Sequence, residues 1–79
     1  MYYVYVMRSL KDGRLYKGFT SNLKRRIKEH NSGQTKSTKG FVPWELIYFE
    51  KVNSREEARN REKYLKSGQG RDFLKTMAP

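Results

Sequence analysis

The residues of this chain that invite chemistry lie between Leu15 and Gly33, in the run LYKGFTSNLKRRIKEHNSG. Tyr16 and Gly18 stand two apart, so on a strand they share one face. A strand glycine often marks a place where another backbone or a ligand comes close. Further on, Leu23, Arg26, Ile27 and His30 fall at i, i+3, i+4 and i+7, which is one face of a helix. A stripe that should be apolar therefore holds an arginine and the chain's single histidine. Two readings are open. Arg26 and His30 rim a small core and send their polar ends to water, or the stripe faces a cleft in which Arg26 meets an anion. The tyrosine and glycine just upstream favour the cleft.

The elements that must position these residues can be read along the chain. Leu15 to Phe19 interleaves aromatic and aliphatic residues as a short strand does. Thr20, Ser21 and Asn22 are successive N-cap candidates for the helix, and Gly33 is a suitable residue just beyond its end. Upstream, Tyr2 to Arg8 reads as a strand, with Tyr3, Tyr5 and Met7 on one face and Tyr2, Val4 and Val6 on the other. Asp12-Gly13 is a hairpin signal between the two strands. Antiparallel pairing would bring Tyr5 near Tyr16 if they share a face, in a register that sequence does not fix.

Ser32 to Pro43 is a long polar loop, either a phosphate-contacting surface or a plain mobile connection. Trp44 to Val52 is a third strand whose apolar content on both faces suggests a central place in the sheet. Ser54 to Glu57 forms a capping box, opening a helix expected to reach about Ser67 with Gly68 as terminator. Its stripe of Ala58, Arg61, Glu62 and Leu65, flanked by Tyr64, again admits polar residues. Spacing does not choose between Arg61 and Glu62 as the inward group, and Glu62 also suits a plain i, i+4 pair with Lys66. Gly68 to Arg71 reads as a flexible basic turn, followed by a short helix holding Phe73, Leu74 and Met77. The order β-β-α-β-α-α describes one small α+β domain over residues 1–79, a three-stranded antiparallel or mixed sheet flanked by helices.

Charge is the strongest global signal. Eighteen lysines and arginines stand against eight acidic residues, a net charge of +10, which points to a polyanion and most simply to nucleic acid. One tryptophan, six tyrosines and four phenylalanines suit contact with bases or sugars beside phosphate. The basic residues best placed for phosphate are Lys24 and Arg25 on the first helix, Lys36 and Lys39 in the loop, and Arg71 in the later turn. No membrane role is expected, since the apolar run Tyr2 to Met7 is too short for a signal core and nothing approaches a span. With no cysteine, a soluble cytoplasmic protein is expected.

One histidine and no cysteine rule out a zinc site rich in histidine or thiolate. Neither a GxxxxGK[ST] loop nor a GxGxxG turn is present. The acidic residues are scattered, so the clustered carboxylates of a two-metal phosphodiesterase are missing. Any metal would be a single hard cation on one carboxylate, completed by water and substrate phosphate.

Tyr3-Val4-Tyr5, followed by Leu15 and then Tyr16-Lys17-Gly18, resembles the paired tripeptides of the GIY-YIG nuclease superfamily. The helix from Asn22 to His30 is similar to that family's next segment, with its arginine at Arg26, and His30 stands where relatives often carry His or Tyr. Glu62 resembles the family's metal-binding glutamate. The similarity covers nearly the whole chain and is closest to small standalone bacterial members. Tyr3 replaces the first glycine of GIY, Lys17 occupies the middle of YIG, and no asparagine follows Asn60. The resemblance implies a three-stranded sheet with flanking helices, a single Mg²⁺ or Mn²⁺, and hydrolysis of DNA phosphodiester bonds. It implies Tyr16 as general base, Glu62 as metal ligand and Arg26 offsetting charge on the phosphate. Tyr5 and His30 would orient or assist, and Gly18 would leave room for a backbone to approach. A phenol with an ordinary pKa near ~10 needs neighbouring cations to act as a base. The alternative is a non-catalytic nucleic-acid-binding module that keeps the nuclease fold.

Overall fold

The computed structural model describes residues 1–77, with no side-chain description at Met77. The elements are β1 (Tyr2–Ser9), β2 (Leu15–Thr20), α1 (Leu23–Asn31), a 3-10 turn (Lys39–Phe41), β3 (Trp44–Val52), α2 (Arg55–Lys66) and α3 (Gly68–Met77). The three strands form one antiparallel sheet in the order β2-β1-β3. The middle strand is thus β1, and the central place expected for β3 is corrected: β3 is an edge. The reason lies in burial on both faces. Val4, Tyr5, Val6 and Met7 are all buried, whereas Glu45, Phe49 and Lys51 on β3 are exposed.

Each face of β1 has its own core. Val4 and Val6 pack with Ala58, Leu65 and Leu74, so α2 and α3 cover that side. Tyr5 and Met7 pack with Trp44 and with Leu23 and Ile27 of α1 on the other. The register slips between Val6, which faces Tyr48, and Met7, which faces Leu46. That bulge leaves Ile47 as the extra residue, and Ile47 joins the α2 side while Leu46 joins the α1 side.

Local rules account for most element ends. Asn22 is the cap of α1, its side chain accepting from the Arg25 N–H at 3.1 Å. Gly33 follows with φ +79°, and paired bonds from Gly33 N to His30 O and from Gln34 N to Glu29 O close the helix. Ser54 caps α2 by accepting from the Glu57 N–H at 3.2 Å, and the Glu57 carboxylate reaches back to the Asn53 N–H at 3.3 Å. The expectation at Gly68 is corrected. Helix α2 stops at Lys66, and Gly68 starts α3 instead of terminating α2, with the Ser67 hydroxyl accepting from the Gly70 N–H at 3.2 Å. Residues 68 to 71 are therefore helical, not a flexible turn. Gly70 is where the two helices touch: a Cβ there would lie 2.0 Å from the Tyr64 carbonyl oxygen. The Met77 side chain, read with Phe73 and Leu74 on the last helix, and residues 78–79 of the expected domain lie outside the described residues.

Candidate active site

The antiparallel register sets Tyr5 opposite Gly18 and Met7 opposite Tyr16. Tyr5 and Tyr16 are therefore diagonal neighbours on the α1 side of the sheet, with ring centroids 6.4 Å apart. Tyr16 also meets His30 edge-on at 5.0 Å and Trp44 at 6.2 Å. The Tyr5 ring lies across Gly18, where a Cβ would stand 2.8 Å from its hydroxyl oxygen and 2.9 Å from Cζ. The open space expected above Gly18 for an approaching backbone is thus filled by Tyr5. Gly18 admits a neighbouring side chain of its own sheet.

His30 is fully buried, which sets aside the snorkelling reading for that residue. Its Nδ1 lies 2.8 Å from Thr38 Oγ1 and its Nε2 lies 2.9 Å from the Tyr5 hydroxyl. The Thr38 hydroxyl donates to the Thr35 carbonyl at 3.4 Å, so it accepts from His30 Nδ1–H, and His30 Nε2 accepts from the Tyr5 O–H. Trp44 Nε1 donates to the Thr38 carbonyl at 3.0 Å. Burial, helped by the Arg26 charge, pushes His30 down to about 4, so the imidazole is neutral. Burial also pushes the Tyr5 phenol up to about 12, against the pull of nearby Arg26 and with further upward pressure from Tyr16 and Glu62. Tyr5 is consequently a fixed hydroxyl donor at neutral pH and not a proton acceptor.

Arg26 remains partly exposed, its side chain 35% accessible, and Nη1 donates to Glu29 Oε1 at 3.1 Å. Burial works against its charge, but Glu29 and then the Tyr5 and Tyr16 phenols favour it, and the net effect raises its pKa. One guanidinium thus stands between a carboxylate of its own helix and the two tyrosines.

Helix α2 resolves the choice between Arg61 and Glu62 by using both. Arg61 Nε donates to Glu50 Oε1 on β3 at 2.6 Å, and its guanidinium lies 4.6 Å from the Tyr64 ring centroid. Glu62 turns the other way and accepts from Lys66 Nζ at 3.0 Å, close enough to Tyr5 to oppose its ionisation. The expected pair with Lys66 is present, yet the Glu62 side chain is only 19% accessible. On β2, burial, then the Arg71 and Lys66 charges, lower the Lys17 pKa. Among the described residues no three His, Cys, Asp or Glu side chains gather as a metal cluster. A lone carboxylate such as Glu62 could hold one hard cation, with water and phosphate oxygens as its other ligands.

Tyr5, Tyr16, Arg26 and His30 are brought together, with Glu62 at their margin. Lys24, Arg25, Lys36, Lys39 and Arg71 are all exposed, and they sit on α1, the loop, the 3-10 turn and α3. Lys36 and Lys39 flank Thr38, whose bond to His30 ties the loop to the site. Thr38 and Trp44, which fix the histidine, carry no signal in the sequence that separates them from ordinary loop and strand residues. Glu29 was legible in principle, because it stands three residues after Arg26 and four after Arg25 and pairs with both, at 3.1 and 3.5 Å. No helix among the described residues is long and apolar enough to cross a membrane.

The model of the GIY-YIG catalytic domain family matches residues 1–75. A UPF0213 protein of Clostridium perfringens is 48% identical over 67 residues, covering 84% of this chain and 71% of the relative. A UPF0213 protein of Staphylococcus saprophyticus is 36% identical over 78 residues, covering 98% and 94%. The solution NMR structure of a UPF0213 protein from Bacillus halodurans superposes with a TM-score of 0.57 at 37% identity, covering 98% of this chain and 85% of the other.

Proposed function

Because this chain belongs to the GIY-YIG catalytic domain family, we propose that it is a metal-dependent endonuclease that hydrolyses DNA phosphodiester bonds. The observation that carries the proposal is the division of labour between two tyrosines on one face. Tyr5 is buried and tied to His30, while Tyr16 stays half-exposed beside the Arg26 guanidinium. In the proposed reaction the oxygen of a water attacks phosphorus and its proton passes to the Tyr16 side-chain oxygen, acting as general base. The bond to the leaving ester oxygen breaks, and that oxygen takes up a proton from solvent. Arg26 offsets the negative charge that builds on the phosphate oxygens. Tyr5 and His30 hold the floor on which Tyr16 rests and exclude water from beneath it. Glu62 would hold the Mg²⁺ or Mn²⁺, which when bound would polarise the scissile phosphate.

The test uses end-labelled branched, nicked and single-stranded DNA, with and without Mn²⁺, on the wild type and on Tyr16→Phe. Cleavage that needs the metal and falls on the order of a hundredfold in Tyr16→Phe is the expected result, with DNA binding retained. A Tyr16→Phe variant that cuts at the wild-type rate removes the base assignment. A wild type that cuts no form of DNA favours the non-catalytic binding module.

A further inference from the structure

Beside the candidate site, on the far side of α1, a groove of about 740 Å³ opens over β3. Leu46 and Ile27 contribute to its apolar lining, and Tyr3 and Phe49 present two rings, centroids 6.3 Å apart, tilted at 55°. Phe49 is 48% exposed, an unusual state for a phenylalanine in a chain with so small a core. Lys24 and Lys51 stand at the edges of the groove, and Lys51 Nζ lies 6.0 Å from the Tyr3 ring centroid. No acidic residue lines it, and neither lysine is in an ion pair among the described residues.

We propose that this groove takes an unstacked nucleobase of a single-stranded or distorted stretch of DNA, stacked on Phe49 and Tyr3, with Lys24 and Lys51 on the flanking phosphates. An apolar peptide would gain nothing from two unpaired lysines at the rim, whereas a nucleotide presents a π-face and an anion together. Position adds a second argument. Arg26 faces the tyrosines while the adjacent Ile27 lines the groove, so α1 is the ridge between the two. Gly18, Tyr5 and Phe49 stand opposite one another on three adjacent strands. At about 4.8 Å per strand the groove lies roughly 10 Å from the β2 side of the site. That is a reach of about three stacked nucleotides, fewer when extended. Resting on the nuclease reading, the groove deepens it: the substrate class is DNA with unpaired bases near the scissile phosphate, and intact duplex is disfavoured.

Binding in EDTA tests the groove without cleavage. The probes are a short single-stranded oligonucleotide with one 2-aminopurine and a blunt duplex of equal length. Single strand should bind the wild type more tightly than duplex, with the 2-aminopurine fluorescence quenched on binding. Phe49→Ala should weaken single-strand binding on the order of tenfold and abolish the quenching, while duplex binding stays within about twofold. Phe49→Leu keeps the apolar bulk and should lose the quenching too; Phe49→Trp should retain it. Equal binding of both probes by wild type and Phe49→Leu overturns the proposal. So does a concentration-dependent dimer in sedimentation that Phe49→Ala dissolves, since a second copy would then be the occupant. Metal-dependent cleavage by Phe49→Leu at unchanged substrate preference sinks the groove and leaves the nuclease reading standing. Quenching in a wild type that never cleaves does the reverse.

Discussion

Gly18→Ala probes the arrangement under Tyr16 with a single methyl group. Backbone propensity alone favours alanine in a strand by about 0.5–1 kcal/mol. Packing opposes it. The added Cβ would sit 2.8 Å from the Tyr5 hydroxyl oxygen, 2.9 Å from Cζ and 3.2 Å from Tyr16 Cε1. The Tyr5 ring is only 1% exposed and its hydroxyl is 2.9 Å from His30 Nε2, so it cannot retreat without straining that bond. Overpacking of a tight core costs about 1–3 kcal/mol, and a weakened buried hydrogen bond about 1–2 kcal/mol more. The net expectation is a loss of about 2–3 kcal/mol, a large part of the roughly 4–12 kcal/mol available to a chain of this size. Thermal unfolding by circular dichroism should show Tm lowered by about 10–20 °C. In a Tyr5→Leu background the same substitution should cost much less, with a coupling above about 1 kcal/mol. A Gly18→Ala protein as stable as the wild type would refute the packing of Tyr5 over Gly18 and the proposed support for Tyr16.

The buried neutral His30 makes stability depend on acid. Its folded pKa of about 4 lies below the ordinary 6.5, so the unfolded chain binds the extra proton and stability falls as pH drops between those values. By pH 5 the loss should be on the order of 2 kcal/mol, read as a lower Tm that His30→Gln no longer shows; a Tm independent of pH from 7 to 5 contradicts a buried neutral imidazole. Arg26→Ala should leave stability within about 1 kcal/mol, because the residue is partly exposed and its ion pair with Glu29 is a helix-surface one, yet slow cleavage by more than about tenfold. Unfolding of that variant would make Arg26 a structural residue. Duplex binding should weaken with salt at a log–log slope of roughly −0.9 per phosphate contacted, and neutralising Lys36 and Lys39 together should make that slope shallower while lowering affinity for all sequences alike. Affinity indifferent to salt would remove the electrostatic basis of binding.

Periodicity and caps were sufficient for the element order, for a helix opening within Thr20 to Asn22 and for one capped by Ser54, because each rests on a few adjacent residues. The place of β3 was not legible. Its mixed faces look as apolar as those of β1, and only the completed sheet shows that Phe49 and Lys51 face outward at an edge. Gly68 misled because a glycine after a helix signals a stop, whereas Ser67 here ends one helix and caps the next. In the site, strand spacing set Tyr16 with Gly18 and helix spacing set Arg26 with His30, whereas grouping all of them with Tyr5 rested on the resemblance to the GIY-YIG superfamily. What spacing could not supply was the burial of His30, since its partners Thr38 and Tyr5 lie 8 and 25 residues away along the chain. Gly18 was legible as a close approach, but not as one filled from within the sheet.

Glu62→Gln tests the assignment of a metal-dependent nuclease most directly. The change keeps the side-chain shape and removes the charge that opposes Tyr5 ionisation and pairs with Lys66 at 3.0 Å. Cleavage of branched and single-stranded DNA in Mn²⁺ should fall on the order of a hundredfold or more. Binding of the same DNA in EDTA should stay equal or tighten slightly, because one negative charge leaves a basic surface. Cleavage by Glu62→Gln at the wild-type rate would contradict a metal held by this carboxylate.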